Sequence, residues 1–126
     1  MNADEAPDRR RPRSVYREGS EPDPRFTLAN ERTFLAWIRT ALALIAAGVA
    51  VETLIAGEGG TGRKLLAVAL IALGTACGLL AYGRWMRSER AMRTGRPLPA
   101  PVLAPVLGFG IAAVGVLACV LLVLWR

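Results

Sequence analysis

The chain has no histidine, and only one of its 16 basic residues is a lysine. Without imidazole there is no Ser-His-Asp or Cys-His set for nucleophilic catalysis, and the commonest metal ligand is missing. Cysteine is scarce as well: Cys77 and Cys119 stand alone, with no Cys-x-x-Cys spacing. That speaks against a zinc, haem or iron–sulfur site, so no cofactor or metal is expected. Each cysteine lies inside an apolar run. Were those runs antiparallel helices, a rise of 1.5 Å per residue would leave roughly 10 Å of depth between the thiols, too far for a disulfide. Both read as small packing residues. Acids number only 10, and none falls within residues 34–51, 65–83 or 101–125. Those runs therefore hold neither a carboxylate pair for general acid–base chemistry nor an acidic proton relay. Enzymatic function is not expected.

What the chain does have is apolar sequence gathered into blocks. Hydrophobic residues make up 53% of its 126, and the three stretches just named hold a single charge, Arg39. Each stretch is close to or beyond the roughly 17–25 residues a helix needs to cross about 30 Å of hydrocarbon. The fold class that follows is all-α integral membrane, with three transmembrane helices at about 34–54, 65–83 and 101–125. They form one membrane domain over 25–126, preceded by a disordered amino-terminal tail over 1–24. What remains is too short for a soluble core. The first span is alanine-rich, as a signal peptide can be, but a long polar segment precedes it, so it is read as retained.

The tail carries four prolines and few large apolar residues, so burial would not offset the entropy of ordering it. Counted through Arg25, six arginines balance six acids. A nucleic-acid arm needs a large net positive charge, so no nucleic-acid partner is expected; attraction of the Arg9 to Arg17 patch to anionic lipid is the functional alternative to a solvated tail. Thr27 is a candidate N-cap, starting the first helix near Leu28. Gly57, Gly59, Gly60 and Gly62 form a turn after it. The second helix continues past Tyr82 through Arg84, Arg87, Arg90 and Arg93 until Gly95 and Pro97 stop it. Pro101 can open the third, while Pro105 either kinks it or displaces its start.

Basic residues are unevenly placed. The tail through Arg32 has seven and the loop from Arg84 to Arg96 has five, against Arg63 and Lys64 in the glycine loop and Arg126 at the end. The positive-inside bias puts the amino terminus in the cytoplasm and the carboxyl terminus outside. Trp37, Tyr82, Trp85 and Trp125 fall near the expected boundaries, as interfacial anchors do.

Gly57 to Lys64 superficially matches a phosphate-binding loop, but Arg63 and Lys64 occupy the lysine and hydroxyl positions and no strand precedes it. Gly74 and Gly78, four apart, and Gly108, between Ala104 and Ala112, allow close helix packing, either within the chain or between copies. Arg32 and Arg39, seven residues apart, lie within about 20° of each other on a helix and form one basic stripe bordered by Asn30 and Glu31. Glu31 is placed to pair with Arg32 of a neighbouring helix, or with Arg84 or Arg87. Arg39 has two readings: it snorkels to lipid phosphate, or it lines a site for an anion or a partner.

The run from Asp23 to Thr40, D-P-R-F-T-L-A-N-E-R-T-F-L-A-W-I-R-T, resembles the signature of the YidH-like family, domain of unknown function 202. That domain also forms the membrane part of vacuolar transporter chaperone proteins. The resemblance implies a bacterial plasma (inner) membrane protein. It also implies an oligomer whose first helices surround a basic path for polyphosphate, with Asn30, Glu31, Arg32 and Arg39 as an anion site or interhelical polar network. The chain lacks the soluble domains of those chaperones, so polyphosphate synthesis is not implied. The expectation is a self-associating membrane protein whose basic stripe contacts an anion such as polyphosphate or lipid headgroups. The alternative is an accessory subunit packed on a larger membrane protein complex.

Overall fold

The computed structural model describes residues 7–55 and 60–124. Their order is α1 (Arg13–Tyr16), α2 (Pro24–Leu54), α3 (Gly60–Thr94) and α4 (Leu103–Leu124). The described residues are helical with no strand, and α2, α3 and α4 are each long and apolar enough to cross a membrane. Every other helix packs on α3.

Helix ends follow local chemistry. Asp23, not Thr27, caps α2: its carboxylate accepts from the Arg25 N–H at 2.9 Å, and Pro24 takes the first helical position, where a missing N–H costs nothing. Thr27 is free for another bond, described below. At the far end Gly60 and Gly62 are not turn residues, because α3 already begins at Gly60 and buries Gly62. Arg63 secures that start by donating to the Ile55 carbonyl at 2.6 Å, which α2 leaves without a helical partner, and by pairing with Glu52 at 3.3 Å. Gly57 and Gly59 lie outside the described residues, as does Trp125. α3 stops as its sequence predicts: Gly95 has φ +66°, and the Arg96 N–H returns to the Ala91 carbonyl at 3.0 Å, a Schellman closure. α4 starts at Leu103, so Pro105 displaces the helix start and sits in the first turn without kinking it.

α2 and α3 run antiparallel on a seam of small residues. Ala41 and Gly48 are seven apart on α2; Ala67, Gly74 and Ala81 are seven apart on α3, and all five are buried. Heptad spacing is the repeat that returns small residues to the same side of each helix, so the seam stays in contact along the pair. The approach is close: a Cβ on Gly74 would meet the Ala41 carbonyl oxygen at 2.7 Å, and one on Gly48 would meet the Ala67 oxygen at 2.8 Å. Among the described residues Gly78 has room, with only the Ala41 Cβ at 4.0 Å, and nothing lies within 4 Å of a Cβ on Gly108. Of the three expected packing glycines, then, Gly74 alone marks a tight approach inside the chain. Cys77 is buried beside Ala41, Ala81 and Leu103, whereas Cys119 is exposed; both are free.

Because Leu103 packs at the level of Ala81, α4 begins there while α3 runs on to Thr94, about 20 Å further at 1.5 Å per residue. Residues 7–23, part of the segment whose composition suggests disorder, lie on this overhang. Arg93, 6% exposed, donates to the Tyr16 carbonyl at 3.0 Å, the Glu18 carbonyl at 2.9 Å and the Glu21 carboxylate at 3.1 Å. Val15 is fully buried beneath them. Gly19, at φ +63°, lets the Ser20 N–H reach the Arg93 carbonyl. Arg90 pairs with Glu18 and donates to the Ser14 carbonyl. Arg10 bridges Asp8 and Glu21 and holds the Asp8 carboxyl down at about 2; Arg10 first, and then Arg93, hold that of Glu21 below the usual range. Tail composition alone hides this docking because its acceptors meet arginines some 75 residues away in the sequence. Residues 1–6 lie outside the described residues.

Candidate functional site

The polar residues of the signature meet at the basic end of the α2–α3 pair, and they divide sharply. Asn30 faces inward at 7% exposure. Its amide donates to the Trp85 carbonyl at 3.1 Å and to the Glu89 carboxylate at 3.3 Å, whose other oxygen accepts from the Thr27 hydroxyl at 3.0 Å. Glu89 is 1% exposed. Both of its oxygens are thus bonded by neutral donors, as a buried carboxyl requires. Asn30 reaches Trp85, one turn beyond the seam residue Ala81 of α3.

Nothing in the local sequence pattern sets Glu89 apart as buried, because arginines surround it in a stretch that looks like a solvated helix. One signal marks it: it is the sole acid after Glu58. Thr27, a candidate N-cap by its position in the sequence, instead closes this cluster with its hydroxyl.

Glu31, Arg32 and Arg39 are exposed, and none of them has a hydrogen-bond or ion-pair partner among the described residues. Glu31 does not pair with Arg84 or Arg87; the Arg87 guanidinium donates to the Gly83 carbonyl at 3.4 Å instead. At 100° per residue, Arg32 and Arg39 lie about 160–180° around α2 from Ala41. They therefore point directly away from α3. Leu28, Leu35, Leu42 and Val49, at heptad spacing, run beside them and are about half exposed or more. The structure thus separates an inner polar lock (Thr27, Asn30, Glu89) from an outward basic stripe (Arg32, Arg39).

Between the two helices, Glu31, Phe34, Leu35, Tyr82 and Trp85 line an open groove of about 320 Å³. Its Tyr82 and Trp85 rings stack with centroids 6.0 Å apart and planes 14° from parallel. Among the described residues no group of three or more acidic, cysteine or histidine side chains is placed to hold a metal.

A family model for domain of unknown function 202 (DUF202) matches residues 25–91, which take in α2 and nearly all of α3 with the polar lock. Inner membrane protein YidH of Escherichia coli K12 is 49% identical over 87 residues, covering 68% of this chain and 75% of that protein. An uncharacterized protein of Mycobacterium tuberculosis H37Rv is 47% identical over 104 residues, 82% of this chain and 85% of its own length. No solved structure matches.

Proposed function

The chain belongs to the domain of unknown function 202 family, and from that membership we propose that this multi-pass inner-membrane protein self-associates and presents its Arg32–Arg39 stripe to an anion, polyphosphate or a lipid headgroup. One observation carries the reading: both arginines face away from α3, on which α2 packs, with no partner among the described residues. An arginine inside a span costs roughly 2.5–3.5 kcal/mol on insertion scales unless something compensates, and no such group is found among the described residues. Arg39 lies five residues below Phe34, about 7 Å into the span.

Purified protein in liposomes tests this. Arg39→Leu is expected to abolish most binding or permeation of polyphosphate or smaller anions at low salt, and Arg39→Lys to keep part of it, since lysine retains the charge without the planar fork. Equal behaviour of wild type and Arg39→Leu would remove the anion reading. A single heterologous subunit seen by native mass spectrometry, in place of a homo-oligomer, would favour an accessory role in a larger complex.

The proposed orientation places the basic end in the cytoplasm, supported by twelve basic residues there against three at the other end. Reporter fusions after Gly60 and after Arg126 are expected to be active in the periplasm, and a fusion after Arg93 inactive. Periplasmic activity at Arg93 would invert the topology.

A further inference from the structure

The groove beside the stripe has a composition that neither snorkelling nor self-association explains. Phe34, Leu35, Tyr82 and Trp85 make its walls apolar and aromatic, and Glu31, an exposed carboxylate with no partner among the described residues, stands at its lip. Aromatic faces beside a free carboxylate suit a cation, which gains from the ring quadrupoles and from charge-assisted hydrogen bonds together.

Depth narrows the choice. Tyr82 and Trp85 close the apolar stretch of α3 just where Arg84 and Arg87 begin, so the groove opens at headgroup level. Below it, Leu35, Leu42 and Val49 continue as an exposed apolar stripe on the same side of α2. Arg39 lies eight residues beyond Glu31, about 12 Å along the axis, and helical side chains lean toward their own N-terminus. Its guanidinium therefore leans back toward the level of Leu35, on the lipid-facing side of α2. The order from the membrane outward is acyl-sized apolar stripe, cation, aromatic wall, anion.

The geometry points to a site for the headgroup of a zwitterionic aminophospholipid. Its primary ammonium is held by Glu31 against Tyr82 and Trp85, its phosphate by Arg39, and its acyl chains lie along Leu35, Leu42 and Val49. A lipid standing in the inner leaflet carries phosphate toward the membrane and ammonium toward the cytoplasm, in the same sense as Arg39 and Glu31. The phosphate half rests on the reading of Arg39 as an anion contact; the ammonium half is new.

Native mass spectrometry of the full chain, titrated in detergent with dioleoyl phosphatidylethanolamine, phosphatidylglycerol or phosphatidylcholine, separates the two halves. Wild type is expected to retain phosphatidylethanolamine roughly three- to ten-fold better than the other two. Glu31→Gln and Tyr82→Leu should erase that preference at unchanged oligomer mass, whereas Arg39→Leu should weaken all three lipids alike. No preference in wild type, or one that survives Glu31→Gln, overturns the ammonium site while leaving the anion reading intact. Equal retention of phosphatidylcholine and phosphatidylethanolamine overturns the primary-amine assignment. Unchanged binding of all three lipids by Arg39→Leu overturns the headgroup site together with the anion reading beneath it.

Discussion

Gly74→Leu is expected to be the most damaging single change in the membrane-spanning part of this protein. A Cβ at that position already meets the Ala41 carbonyl oxygen and the Ile45 side chain at 2.7 Å, and the carbonyl is backbone, which cannot rotate away. Overpacking a core costs typically 1–3 kcal/mol when side chains can adjust; here α2 and α3 must separate along their seam, so a loss at or above about 3 kcal/mol is expected, with poor accumulation of folded protein. Gly78→Ala is the matched control, since its new methyl finds 4.0 Å of clearance. Thermal unfolding in detergent, followed by tryptophan fluorescence, reads both. Wild-type stability of Gly74→Leu would mean that the two helices do not pack this closely. Gly108→Leu asks a separate question: with nothing within 4 Å among the described residues, it should leave the protomer intact, and a change in oligomer mass would locate a contact between copies.

The second large effect is expected at Glu89. Glu89→Ala removes both acceptors from a closed cluster, stranding the Thr27 hydroxyl and one amide hydrogen of Asn30 in a buried site. Unsatisfied donors cost about 1–3 kcal/mol each and the cavity adds to that, so a loss of roughly 2–4 kcal/mol is expected. Glu89→Gln should cost less, about 1 kcal/mol, because it keeps the shape and the acceptor for Thr27. It would still present an NH₂ to the Asn30 amide, whose hydrogens are already directed to Trp85 and to position 89. The ordering Ala worse than Gln worse than wild type in thermal unfolding checks the hydrogen-bond account. Equal loss in both variants would instead assign the effect to the carboxyl charge.

The two predictions also mark where sequence and structure divide the explanation. Three spans, the helical overhang past Tyr82 and the Gly95 stop are legible from local pattern, because membrane helices satisfy their own backbone and need only about 20 apolar residues to declare themselves. The signature residues were legible as a group but not in their roles. Asn30 turns inward and Arg32 and Arg39 outward, and which side of α2 meets α3 is set by Ala41 and Gly48 finding Ala67, Gly74 and Ala81. Small residues are too common in an alanine-rich chain to reveal that pairing beforehand.

Sequence by itself determined class, span number and the excess of arginine at one end, since hydropathy and charge are sums over neighbouring residues. Only the tertiary structure decided that Glu89 is buried with Thr27 and Asn30, that Glu18 and Glu21 of the tail are answered by Arg90 and Arg93, and that Glu31 stands at the lip of an aromatic groove. Each of those outcomes depends on residues tens of positions apart meeting at one level of an antiparallel helix pair, and that register is fixed by backbone approach at a few small residues, which no local pattern encodes.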